Sequence, residues 1–192
     1  MLRFNTYASL NAFAAGVAGL LYAVSFVVLQ NNLWSAIFLL LGGLLAIPVM
    51  VALFHKLRDV ELHFALTFLI LGILGAAGAM LHGAYDLANV INPPIWAISD
   101  LPSGIDPRGF LTFGVMGAAI LKISWLLGRG DIFSRNFRVL GYVSGALLLI
   151  IYLARLIVLD PANPILLYPV LLEGFVVNPL WYLWLGYLLM RG

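Results

Sequence analysis

The chain of 192 residues predicts an all-α integral membrane protein, six transmembrane helices in one bundle with both termini cytoplasmic. Three observations carry that reading. Hydrophobic residues make up 64% of the chain and charged residues only 9%, and the mean hydropathy is +1.07. Soluble globular chains carry about 25% charged residues, so water is not the main solvent here. Apolar runs longer than about 18 residues recur, and a helix of roughly 20 residues spans a hydrocarbon core of about 30 Å. The third observation is the spacing of these runs, which uses nearly the whole chain and leaves no room for a second soluble domain, so 1–192 reads as a single transmembrane domain.

The first span covers about 7–29; it is longer than a signal-peptide core and other spans follow it, so it reads as a retained helix. Gln30-Asn31-Asn32 is a polar turn, and the second span covers 33–54 with Trp34 at one interface and Pro48 as an expected kink. After the charged loop His55 to Glu61 the third span runs over 62–91, stopped by Asn92-Pro93-Pro94, where the prolines remove backbone donors. The connection 92–107 is the longest in the chain; its Ile95-Trp96-Ala97-Ile98 patch suggests that it lies on the membrane surface or folds over the bundle. The last three spans cover 108–127, 137–159 and 165–190, separated by a basic loop and by Asp160-Pro161-Ala162-Asn163-Pro164.

Orientation follows from the basic residues of the short loops. Arg3, Lys56, Arg58, Arg129, Arg135, Arg138 and Arg191 fall on one side, with Lys122 near enough to snorkel there, whereas Arg108 and Arg155 fall on the other. The two termini are therefore expected in the cytoplasm. The same assignment gathers Asp86, Asp100, Asp106, Asp160 and Glu173 toward the outer side, although acidic residues did not enter the count. A formal charge of +2 gives no reason to expect nucleic acid as a partner, and the absence of cysteine excludes disulfides and thiolate chemistry.

Chemistry concentrates on the third span and on the outer ends of the fifth and sixth. Gly75, Gly78, His82, Asp86 and Asn89 fall within about 80° of one another at 100° per residue, a groove of small residues leading into a polar end. His82 and Asp86, four apart, read first as interfacial wetting or a structural hydrogen bond, with a ligand or proton site behind that reading. Two ligands do not make a metal site, and no second histidine lies at the depth of His82 to hold a haem, so neither metal nor cofactor is expected. Arg155 is expected to snorkel or to neutralise Glu173 or Asp86 across the bundle. Asn178-Pro179 interrupts the sixth span and frees a carbonyl, which reads as a kink or as a broken helix forming part of a site.

Glycines recur on five spans: Gly16 and Gly19, Gly42 and Gly43, Gly72 with Gly75 and Gly78, Gly114 and Gly117, Gly141 and Gly145. In lipid, such residues let helix backbones approach, so packing within the bundle is their first expected use, with a groove lining or homodimer face behind it. Trp181, Tyr182, Trp184 and Tyr187 read chiefly as an interfacial belt. The stretches Asn89 to Trp96 and Phe175 to Trp181 echo one another, each after a carboxylate, as inverted repeats would, but the match is short enough to arise by chance.

The closing segment from Leu171-Leu172-Glu173-Gly174 through Trp181-Tyr182-Leu183-Trp184-Leu185-Gly186-Tyr187, with Gly128-Arg129-Gly130 and Leu140-Gly141-Tyr142 before it, resembles a group of uncharacterised bacterial multi-pass membrane proteins. The resemblance covers the last third of the chain. It implies six helices and a bacterial cytoplasmic membrane, and it carries over no catalytic residue.

These readings converge on a small outward-facing polar cleft lined by His82, Tyr85, Asp86, Asn89, Arg155, Glu173 and Asn178. The leading expectation is that it binds or translocates a small or lipid-derived molecule. Membrane lipids are the expected surroundings, with a homo-oligomer or a larger complex that the chain serves as accessory subunit as further partners. Two alternatives stand beside it. One is an intramembrane enzyme with Asp86 or Glu173 as general acid or base, assisted by His82 and Arg155. The other is a purely structural membrane subunit.

Overall fold

The computed structural model describes residues 4–93, 104 and 106–191. Among them there is no strand, and six helices are long and apolar enough to cross a membrane: α1 (Phe4–Val28), α2 (Asn32–Leu57), α3 (Leu62–Ile91), α4 (Pro107–Arg129), α5 (Arg135–Ile157) and α6 (Pro164–Arg191). Their ends follow local chemistry. Asn31, Ser134 and Asn163 cap α2, α5 and α6, each side-chain oxygen accepting a backbone N–H of the first turn, and Pro164 starts α6 where its missing N–H is not needed. Asp106 does the same for α4, accepting from Gly109 N at 2.8 Å ahead of Pro107. Helix α2 continues through Pro48.

Consecutive helices pack side by side in chain order, and α6 closes the ring against α1. Short connections make neighbours antiparallel, so one end of the bundle holds the start of α1, the end of α6 and the α2–α3 and α4–α5 turns. Contacts between Phe4 and His55, Phe64 and Trp125, and Phe137 and Trp184 tie that end together. Its interior is filled by Leu53, Leu57, Phe68, Ile123, Trp181 and Leu185, all fully buried. Trp181 stacks on Phe137 with ring centres 5.9 Å apart. Trp181 and Tyr182 therefore belong to the core, and only Tyr187 of the expected aromatic belt is exposed, because the α1–α6 contact turns the Trp181 face inward.

The glycines serve helix packing. A Cβ on Gly43 would stand 2.5 Å from the Ala76 carbonyl oxygen, and one on Gly75 would stand 2.8 Å from Cβ of Met116. The small-residue groove of α3 is thus occupied by α2 and α4. The outward faces carry Leu10, Val17, Leu44, Ile70 and Leu153, the surface that a hydrocarbon solvent favours.

Candidate functional site

At the end opposite the termini the six helices do not close on one another. They enclose a cavity of about 380 Å³ to which every helix contributes side chains, within the 300–1,000 Å³ range usual for small-molecule sites. Its wall is mostly apolar, and three helices change pitch where they meet it. Val24–Val28 in α1, Phe110–Val115 in α4 and Glu173–Val177 in α6 are π-helical turns. In α6 the cause is legible: Pro179 has no N–H for the carbonyl four residues back, and Asn178 N–H instead bonds the Glu173 carbonyl five residues back. An added residue in a turn rotates the helix beyond it, and here Glu173 and Asn178 both face the cavity.

Glu173 lies nine residues beyond Pro164, about 14 Å along the helix, roughly half the thickness of a hydrocarbon core. It is 4% exposed. Its Oε1 accepts a hydrogen bond from Ser144 Oγ of α5 at 2.6 Å. Its Oε2 is buried and has no hydrogen-bond partner among the described residues; the Asn178 side chain lies near the carboxyl without completing a bond to that oxygen. Among the described residues no Lys, Arg or His forms an ion pair with Glu173.

Arg155 also lines the cavity. Its Nε donates to Asp106 Oδ2 at 2.7 Å, both side chains being buried, and its guanidinium lies 5.6 Å from the Phe113 ring centre. The structure therefore corrects the expectation that Arg155 snorkels or answers Glu173 or Asp86. Asp106, fixed as the cap of α4, stands closer to it. One carboxylate thereby closes a helix end and balances a cation.

A third group sits behind α4. His82 is fully buried, with Nε2 3.4 Å from Asp86 Oδ2 and Nδ1 3.4 Å from Thr112 Oγ1. Arg108 donates to Asp86 Oδ1 at 2.9 Å and lies 4.5 Å over the Tyr85 ring. No family model, curated protein or solved structure matches this chain.

Of the seven residues expected to share one hollow, Arg155, Glu173 and Asn178 line the cavity, whereas His82, Tyr85 and Asp86 form the separate α3–α4 group. Asn89, about one turn beyond Asp86, is partly buried. Thr112 connects the two groups, since it contacts His82 and lines the cavity. The connection 92–107 as a cover lies outside the described residues except for Asn92, Pro93, Gly104, Asp106 and Pro107. Sequence reasoning missed Thr112, Ser144, Tyr22 and Tyr182. Ser144 stands three residues after Gly141 and just before Gly145, so its place on a contact face was the available signal.

Proposed function

We propose that this chain is a multi-pass protein of the bacterial cytoplasmic membrane, termini inside, that binds or translocates a small or lipid-derived molecule in the cavity between its helices. The observation that carries the reading is an apolar hollow at the outer end of an otherwise well-packed bundle, into which π turns aim a few polar side chains. An empty hollow of that size forfeits dispersion contacts on every lining atom, which a purely structural bundle has no reason to retain. Asymmetry of basic residues between the two ends supports the orientation. The acid–base alternative needs its reactive groups to meet. Glu173 is held by Ser144 in α5, while Asp86 contacts His82 and Arg108, which favours binding over catalysis.

The test is a density map of the full chain in native-lipid discs, together with mass spectrometry of what the discs retain. A non-bilayer molecule in the cavity supports the reading. A cavity collapsed or filled by side chains, with nothing retained, overturns it.

A further inference from the structure

Resting on the proposed binding function, we propose that the cavity takes an organic monocation carrying an N–H donor, an amine in its ammonium form, with Glu173 as the counter-charge. The balance of charge in the cavity points there first. Arg155 and Asp106 neutralise one another at 2.7 Å, which leaves the Glu173 carboxyl as the charge-bearing group with no ion pair among the described residues. A carboxylate buried in an apolar hollow is expensive unless a proton or a cation answers it. An anionic ligand would meet that carboxyl with Arg155 already engaged.

Geometry points the same way. Oε1 accepts from Ser144, which anchors one side of the carboxyl, and Oε2 is a buried acceptor with no hydrogen-bond partner among the described residues, on a side chain that lines the cavity. An acceptor without a donor asks for an N–H or O–H, and an ammonium supplies both the donor and the charge. The cavity wall also includes the rings of Tyr22, Phe26, Phe38, Phe113 and Tyr182. Ring faces attract cations most strongly where water is scarce. Phe113 already plays that part for Arg155.

The full chain in phosphatidylcholine nanodiscs, with empty discs subtracted, is titrated by calorimetry with 2-phenylethylamine, 2-phenylethanol and phenylacetate. They share a phenyl ring and differ in charge. The expected order is amine over alcohol by tenfold or more, with phenylacetate weakest. In Glu173→Gln the amine falls to within about threefold of the alcohol, because Gln keeps the volume and loses the charge. Should the alcohol bind as tightly as the amine in the unaltered chain, Glu173 acts as a neutral donor and the cation assignment is overturned, while cavity binding survives. The cation assignment falls equally if Glu173→Gln weakens amine and alcohol to the same extent. Should none of the three bind, the cation assignment is overturned, while the binding function stands or falls on what the native-lipid discs retain. The probe order in the unaltered chain decides the matter even where Glu173→Gln does not reconstitute.

Discussion

The two ends of this bundle are built from the same apolar alphabet and arrive at opposite results. At the end carrying the termini, aromatic and branched side chains interlock until Trp181, Phe68, Leu57 and Leu185 have no exposed surface. At the other end the same six helices leave a hollow of about 380 Å³. What differs is backbone regularity and the placement of charge. The π turns lie toward the hollow end of α1, at the start of α4 and midway along α6, and the buried Arg155–Asp106 pair lies among them. Polar groups need partners in fixed directions, so helices that must present them cannot also settle into the closest packing.

The largest effect should come from breaking the buried pair at the hollow end. Arg155→Ala leaves Asp106 enclosed without its cation and disturbs the cap of α4, a loss of about 3–5 kcal/mol. Thermal unfolding in mild detergent should show it as a large fall in midpoint. Replacing both partners, Arg155→Met with Asp106→Asn, should recover most of the loss, since Asn still caps and no charge remains buried. If the double variant is no better than the single one, the pair is not what closes this end.

Next in size is a contrast of truncations. Trp181→Ala opens a void in close packing and should cost about 3 kcal/mol. Phe26→Ala, on the cavity wall and already 40% exposed, should cost under about 1 kcal/mol. The same detergent unfolding series checks both. Equal losses would mean that the hollow is as tightly filled as the core and would erase the distinction between the two ends.

How far this contrast is legible in the sequence differs between its parts. The six helices were legible because apolar runs of membrane length leave little choice, and Asn31, Asn163 and Pro164 mark their ends in the sequence. The inward turn of Trp181 was not, since an interfacial and a buried aromatic look alike until the neighbouring helix is known. Arg155 could be read as needing a carboxylate, but the choice of Asp106 over Asp86 and Glu173 depended on a helix start that follows the longest connection. The 100° periodicity on α3 correctly joined Gly75, Gly78 and His82 on one buried face, yet that face receives α4. Helical periodicity identifies a contact surface; whether a helix or a ligand covers it is decided by the other five spans. The π turns of α1 and α4 carry no proline signal and were invisible.

A smaller effect should separate the two oxygens of Glu173. Ser144→Ala removes the donor to Oε1 and leaves a second buried acceptor unmatched, a destabilisation of about 1–3 kcal/mol. In a double-mutant cycle with Glu173→Leu, which has no acceptor, the two losses should be non-additive, because the hydrogen bond can be removed only once. Additive losses would place Ser144 and the carboxyl in unrelated roles and leave Glu173 without the fixed orientation that the cavity wall gives it.

The smallest expected effect falls on the residue that the sequence singled out most plainly. Asp86→Asn weakens the contact with Arg108, but with a quarter of its side chain exposed the pair is partly screened, and the change should be about 0.5–1 kcal/mol. Because His82, Asp86 and Arg108 lie between α3 and α4 and do not line the cavity, binding of 2-phenylethylamine should stay within about twofold of the unaltered chain. Calorimetry on the Asp86→Asn chain in nanodiscs checks this directly. A tenfold loss would join the α3–α4 group to the cavity through Thr112, the residue that touches both, and the hollow would then extend behind α4 as one continuous site. Thr112→Val, which keeps the shape and removes the hydroxyl, would in that case reproduce the loss.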